Sequence, residues 1–268
     1  MSALSTLFDL TGRVALVTGG AGLLGRRFCR ALAEAGADVV VADLSEAAAQ
    51  AVAADLPGAP LGVGVDLGEE TQIEAMVSRI VGHYGRLDIL HNNAACKPQE
   101  LRRFFDPVED FRMDVWREVM RINIDAMFMV AKHAGGHMAA HGGGSIVQTA
   151  SIYGVMGPDQ RIYAGSDYLG GPINTPAVYS ASKAAVIGLT RHLATYWAGR
   201  GVRVNTLTPG GVESGQNDVF VKKYSDRVPM GRMAEPEEMT GALIFLASDA
   251  SSYVTGQNII VDGGLSAW

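Results

Sequence analysis

Short, mainly apolar runs alternate along the chain with longer segments whose apolar positions recur every three or four residues. The first run, residues 13–18, has the pattern of a strand buried on both faces. Residues 19–25, Gly-Gly-Ala-Gly-Leu-Leu-Gly, follow it directly. A helical pattern comes next, with Phe28, Leu32 and Ala35 on one stripe, and Gly36 is its stop signal. Residues 37–42 form a second apolar run that ends at Asp43. The alternation continues with a helix over 47–56 and a strand over 61–65 closed by Asp66. A helix over 70–84 carries Ile73, Val77 and Ile80 on its inner stripe, and a strand over 87–90 runs into His91-Asn92-Asn93-Ala94-Ala95. A long helix is predicted over 113–140, a strand over 145–149 ending at Ser151, and a helix over 176–199. A strand over 202–207, a helix over 237–247 and a last strand over 258–261 complete the pattern. Strands that alternate with helices predict an α/β protein with a parallel sheet covered on both faces. No linker, repeat or low-complexity stretch interrupts it, so residues 1–268 read as a single doubly wound (Rossmann) domain.

Composition narrows the partners. The chain has 268 residues, 48% apolar, with a formal charge of −6, and no run of lysines and arginines marks a nucleic-acid or membrane surface. A small-molecule substrate is the expectation. Cys29 and Cys96 make no disulfide framework and suit a reducing compartment. The N-terminus lacks a basic segment followed by a long apolar run, and no 18-residue apolar stretch occurs, so the expected location is the cytoplasm.

Chemistry enters at the strand ends. A strand, a glycine-rich turn, a helix and a second strand within about thirty residues form a dinucleotide-binding pattern. The glycines let backbone approach a pyrophosphate, and the helix N-terminus offers unpaired N–H groups. Asp43, at the tip of the second strand, would accept hydrogen bonds from ribose hydroxyls and repel a 2′-phosphate. No Arg or Lys follows it nearby, so NAD is favoured over NADP. Ligands of such sheets bind beyond the C-terminal strand ends, where Gly19, Asp43, Asp66, Asn92, Ser151 and Pro209-Gly210 fall. Tyr179 and Lys183 lie four apart on a predicted helix and share a face. One ammonium roughly 5 Å from a phenol favours the phenolate by roughly 3 kcal/mol at an effective dielectric of about 20, or about 2 pKa units. A hydroxyl, such a phenol and a dinucleotide together suggest hydride transfer at a carbinol carbon.

Thr18-Gly19…Gly25, Asp66, Asn92-Asn93-Ala94, Asn123, Ser151, Tyr179…Lys183, Asn205…Pro209-Gly210 and Val261-Asp262-Gly263-Gly264 resemble the short-chain dehydrogenase/reductase family over nearly the whole chain. The resemblance implies that Tyr179 exchanges the proton, Ser151 holds the substrate oxygen, and Lys183 binds the nicotinamide ribose and lowers the tyrosine pKa. It implies that Asn123 supports a water-linked proton path to Lys183. It also implies cofactor contacts from Gly19, Gly22, Leu23, Leu24 and Gly25, from Asp66 and Leu67 on the adenine, and from Asn93 and Ala94 beside the adenosine. Pro209, Gly210, Val212 and Ser214 are expected near the nicotinamide. The lids of this family resemble residues 213–235, in which Lys222, Lys223, Arg227 and Arg232 read as a solvated face. A homotetramer is implied, with a dimer as the alternative.

The chain departs from the family's compact branch in three places. Leu23 stands where the middle glycine of the turn is usual, which resembles the branch that handles nucleotide sugars. The Gly22 position lacks the Arg of NADP-using relatives, which again favours NAD. Ser151 and Tyr179 are 28 residues apart, a long spacing. The extra material, about 155–175, is expected to wall the substrate, with Arg161, Tyr163, Asp167 and Tyr168 as polar candidates. Lys97, Arg102 and Arg103 either face the cleft mouth, where they could meet an anion, or form a solvated helix face. His133, His137 and His141 have helical spacing but no accompanying Asp or Cys cluster, so no metal is expected. The resulting expectation is an NAD-dependent oxidoreductase of a secondary alcohol or ketone, with a polar or sugar-like substrate. The closing run 256–268 resembles reductases linked to bacterial surface-glycan or nonulosonate pathways. The alternatives are a 3-oxoacyl-thioester reductase, against which Asp43 argues, and a dinucleotide-sensing protein without catalysis.

Overall fold

The structure is a computed structural model that describes residues 6–96 and 98–268. Its main strands are β1 (Val14–Thr18), β2 (Asp38–Asp43), β3 (Leu61–Gly64), β4 (Ile89–Asn92), β5 (Gly144–Thr149), β6 (Val202–Pro209) and β7 (Asn258–Val261). Among the described residues these seven form one parallel sheet in the order β3-β2-β1-β4-β5-β6-β7. The order reverses beside β1, which pairs with β2 on one edge and β4 on the other. Chains leaving these two neighbours turn to opposite faces, and a crevice opens between them at the C-terminal strand ends.

Eight α-helices cover the sheet among the described residues: α1 (Leu23–Glu34), α2 (Glu46–Ala54), α3 (Glu70–Tyr84), α4 (Met113–Met120), α5 (Met127–Ala140), α6 (Ala177–Trp197), α7 (Asp218–Ser225) and α8 (Thr240–Ala247). Side chains along each strand alternate between faces. Leu16, Leu90, Ile146 and Val204 pack on one face against Ile73 and Ile80 of α3, Val130 of α5 and Trp197 of α6. Val17, Val41, Ile89 and Val147 pack on the other against Phe28 and Leu32 of α1 and Leu243 and Leu246 of α8. Burial on both faces is why β1 and β2 read as nearly continuous apolar runs.

Three expected elements differ in detail. The helix expected over 113–140 is interrupted by a π-helical segment, Arg121–Ala126, between α4 and α5. The helix expected from 237 opens with a 3₁₀ turn, Pro236–Met239, held by a Glu235–Glu238 capping box. The insertion is not structureless. It holds a 3₁₀ turn at Gln160–Tyr163 and a two-stranded antiparallel ribbon, Asp167–Tyr168 with Gly171–Pro172. The ribbon turns through Leu169 (φ 53°) and Gly170 (φ 76°), both left-handed as a two-residue I′ turn requires.

The insertion and the segment around α7 form one covering layer. The Tyr163 ring stacks on Phe220 with centroids 5.3 Å apart, and Ile152, Ile162, Phe220, Tyr224 and Met233 share a small core. Ser166 Oγ donates to Asn217 Oδ1 at 3.2 Å. Arg227 pairs with Asp159, and Lys223 Nζ donates to the Ala164 carbonyl. Two of the four cations read as a solvated face thus tie the segments together, because their partners are distant in sequence. No helix among the described residues is long and apolar enough to cross a membrane.

Adjacent glycines in α5 test the packing. A Cβ on Gly135 would lie 2.6 Å from the Trp197 ring, whereas one on Gly136 meets nothing within 4 Å. Gly135→Ala should therefore destabilise the protein by about 1–3 kcal/mol through overpacking. Gly136→Ala should stabilise it by up to about 1 kcal/mol through helix propensity. Urea unfolding of both variants measures the difference in sign.

Candidate active site

A cleft of about 680 Å³ runs along the C-terminal ends of β1 to β4. Its floor is the glycine turn. Gly19 has φ 63°, and a Cβ there would lie 2.9 Å from Ala94 Cα. A Cβ on Gly25 would lie 2.0 Å from the Gly19 carbonyl oxygen, so α1 can start this close to the turn only with glycine. Gly22 caps α1 without a side-chain hydrogen bond, and no acidic residue stands in the first turn. The N–H groups and positive end of α1 are left for an anion, which fits a pyrophosphate. Asp43 Oδ2 accepts the Ala21 N–H at 3.0 Å, and Oδ1 has no partner among the described residues. That oxygen fits a ribose hydroxyl.

Gly19, Gly22, Leu23, Leu24 and Gly25 all line this cleft, as do Asp43, Asp66, Leu67, Asn93 and Ala94. Asp66 Oδ1 accepts the Gly68 N–H at 2.8 Å, which shapes the turn after β3. Asn92 Nδ2 donates to the Met127 carbonyl at 2.8 Å, and Thr18 Oγ1 donates to Asn92 Oδ1 at 3.2 Å. The asparagine turn thereby fastens β4 to β1 and α5. The sequence reading missed Arg26, whose Nη2 donates to the Ala21 carbonyl at 2.7 Å and clamps the glycine turn. It also missed Leu44 and Ile122 in the cleft lining. Leu44 follows Asp43 directly and Ile122 precedes Asn123, so adjacency to motif residues was the available signal.

The second cluster lies at the ends of β5 and β6. Ser151 follows β5, and Tyr179 and Lys183 sit one turn apart on α6. The Ser151 hydroxyl hydrogen-bonds the Tyr179 phenol, and Lys183 Nζ donates to the Thr149 carbonyl at 3.1 Å. Burial pulls the Lys183 ammonium down from 10.5 to about 8. The expected lowering of the Tyr179 pKa does not hold for the protein alone. Burial pushes that phenol up, the Ser151 bond pulls it down, and Lys183 is not among the groups that lower it. The ammonium stands 6.0 Å from the ring centroid and is spent on the end of β5. Asn123, on the π-helical segment, is buried; its Nδ2 donates to Ser182 Oγ at 3.0 Å and its Oδ1 accepts the Cys96 N–H at 2.8 Å. Asn123 thereby joins α6 to the turn after β4.

Ser151 and Tyr179 line a second cavity of about 260 Å³. Phe104, Phe105, Phe220 and Tyr224 supply aromatic walls, and Asn174 and Gln216 supply amides. The Tyr224 hydroxyl accepts the Gly211 N–H at 2.5 Å. The described lining contains no Asp, Glu, Lys, Arg or His. None of these four aromatic residues was singled out in the sequence, because their convergence depends on how distant segments fold together.

Most of the other candidates fall outside both linings. Gly210 lines the second cavity, but Pro209 is buried at the end of β6. Val212 bridges Ala234, and Ser214 is exposed with its N–H on Gln216 Oε1 at 2.8 Å. Of the four polar residues proposed in the insertion, only Tyr163 reaches the cavity. Arg161 Nε donates to Asp159 Oδ1 at 2.8 Å, Asp167 is exposed, and Tyr168 packs edge-on behind Phe105 at 6.1 Å. Arg103 pairs with Glu100, and Arg102 lies 6.0 Å over the Phe105 ring against Gly171. Lys97 lies outside the described residues. His133 Nε2 meets Glu70 Oε1 at 3.0 Å, and His137 stacks on His141. No three His, Cys, Asp or Glu side chains among the described residues converge as metal ligands.

Comparison with known proteins follows this geometry. A family model described as enoyl-(acyl carrier protein) reductase matches residues 20–266. The chain is 34% identical to D-threitol dehydrogenase of Mycolicibacterium smegmatis, over 96% of this chain and 94% of that one. The chain belongs to the short-chain dehydrogenase/reductase family. Another member, 3-oxoacyl-[acyl-carrier-protein] reductase of Thermotoga maritima, is also 34% identical, over 96% of this chain and 98% of that one. The crystal structure of a gluconate 5-dehydrogenase from Burkholderia cenocepacia in complex with NADP and tartrate superposes with a TM-score of 0.87 at 34% identity, covering 99% of each chain. As a short-chain dehydrogenase/reductase, the chain is an oxidoreductase that acts on alcohols with a nicotinamide dinucleotide.

The buried lysine links site and stability. Folding lowers its pKa, so between about 8 and 10.5 the unfolded chain binds more protons and stability rises with pH. Below about 8 the penalty is complete, about 3 kcal/mol. Lys183→Met should therefore unfold later in urea at pH 7, less the lost Thr149 hydrogen bond, and should lose turnover. Its advantage over the natural protein should shrink as pH approaches 10.5.

Proposed function

We propose that the chain interconverts a secondary alcohol and its ketone on a small, uncharged polyhydroxy compound, with NAD as cofactor. The observation that carries this reading is the Ser151–Tyr179 pair in the wall of an aromatic cavity beside the nucleotide cleft. Gly19, Gly22, Gly25 and the α1 N-terminus would hold the pyrophosphate, Asp43 the adenosine ribose, and Lys183 the nicotinamide ribose. Bound there, the dinucleotide would give or take the hydride. Ser151 Oγ would hold the substrate oxygen, and Tyr179 would take the carbinol proton or return it to the ketone. A phenol raised by burial favours the protonated form, ready to donate in the reducing direction. Asn123 would hold α6 in register with the turn after β4 and support the path that restores the proton.

Asp43 and the exposed Leu44 after it support NAD, because a 2′-phosphate would meet a carboxylate where it needs a cation. The uncharged lining supports a neutral substrate. A carboxylate or phosphate buried there would lose its hydration without a described ionic partner. Among sugar-like substrates, neutral ones are favoured over phosphorylated ones on the same ground. Residues 155–175 are read as the substrate wall and 213–235 as the lid, since Tyr163, Asn174 and Thr175 of the first and Gln216, Phe220 and Met233 of the second line the cavity. Phe128 of α5 and Tyr196 of α6 are exposed, in keeping with a homotetramer that covers them. Two free cysteines are in keeping with a cytoplasmic location.

Steady-state assays test the reading. Among D-threitol, galactitol, meso-2,3-butanediol, gluconate and a 3-oxoacyl thioester, a neutral polyol should show the highest kcat/KM. Gluconate should fall at least about tenfold below it for want of a cation, and NAD should exceed NADP by about tenfold or more. Preferred reduction of the thioester with NADPH would overturn the proposal.

A further inference from the structure

The insertion carries a hydroxyl network that the proton transfer does not use. Tyr153, Tyr163 and Thr175 all line the cavity. The Tyr163 phenol hydrogen-bonds both Thr175 Oγ1 and the Tyr153 hydroxyl. Those two hydroxyls have no other hydrogen bond among the described residues. A phenol oxygen has two lone pairs and one proton. Either atom of the Tyr163–Thr175 pair can donate; in the arrangement where Tyr153 and Thr175 both donate to the Tyr163 oxygen, its acceptor capacity is filled and its own proton is left for the cavity.

The surroundings hold that donor still. The Tyr163 ring stacks on Phe220 at an interplanar angle of 24°. Thr175 is clamped by Gln160, whose Oε1 accepts the Thr175 N–H at 3.2 Å and whose Nε2 donates to the Thr175 carbonyl at 2.9 Å. Burial also pushes the Tyr163 phenol up, so it keeps its proton across the working range. Tyr163 lies close enough to Tyr179 for the charge of one phenol to raise the other. A donor fixed beside the reacting oxygen, but distinct from it, suits a second oxygen on the same substrate.

Resting on the alcohol-dehydrogenase reading above, we propose that Tyr163 is a specificity-determining residue that donates its proton to a second hydroxyl of the substrate, next to the reacting carbinol. The inserted segment then explains a preference for diols and polyols over mono-alcohols. No covalent step is involved. A substrate without the second hydroxyl leaves the Tyr163 donor unpaired against its aromatic walls, which weakens its binding.

The experiment compares cis-1,2-cyclohexanediol with cyclohexanol as substrates, with NAD, in the natural protein and in Tyr163→Phe. The phenylalanine keeps the ring stacked on Phe220. The natural protein should favour the diol by about tenfold or more in kcat/KM. Tyr163→Phe should lower kcat/KM for the diol about tenfold, mainly through KM, and change cyclohexanol by less than about twofold. The retained cyclohexanol rate reports that the variant is folded. An equal fall on both alcohols would assign Tyr163 a merely structural role and overturn the proposal, as would an unchanged diol preference. Failure of the natural protein to oxidise either alcohol or any polyol would sink the underlying reading, and this proposal with it.

Discussion

Lys183 is 3% exposed, and the Thr149 carbonyl is its one hydrogen-bond partner among the described residues. An ammonium has three donors and prefers water, so burial makes this residue expensive for the fold. Hydrophobic replacements of similar length would remove that cost. The position is therefore shaped by chemistry rather than by stability, and the rest of the site is arranged around it. Tyr179 lies one turn back on α6, Ser151 follows the strand whose end takes the ammonium, and the cavity opens in front of that pair.

Rigidity comes from the sheet and the two helical layers, where side chains from β1, β4 and β5 are fully buried on both faces. The substrate side is built differently. Beside Phe104 and Phe105, its walls come from two segments joined to each other by a small core, a ring stack and an ion pair. Cofactor recognition thus sits on a stiff framework, and substrate recognition on a layer free to differ between relatives that share the framework. Fold alone does not fix the substrate, so proteins about a third identical can act on different alcohols.

The strands were legible because burial on both faces writes mainly apolar runs into the sequence. The glycine turn was legible because close backbone approach at Gly19 and Gly25 tolerates no Cβ. The neighbourhood of Ser151, Tyr179 and Lys183 followed from parallel topology, which brings strand ends to one edge. What depends on distant contacts was not legible. Nothing local announces that Asp159 would meet Arg227, that Tyr163 would stack on Phe220, or that the second cavity would lack charged side chains. The pKa argument for Tyr179 erred for a related reason. Spacing placed an ammonium on the same helix face, but it could not give the degree of burial, which pushes the phenol the other way.

Replacing Tyr179 by phenylalanine and measuring turnover together with NADH binding tests the central claim most directly. Loss of the proton donor should cut kcat by at least about a hundredfold. The NADH dissociation constant, read by fluorescence titration, should stay within about threefold, since the phenol oxygen is not what holds the nucleotide. Turnover within about tenfold of the natural protein would contradict the account.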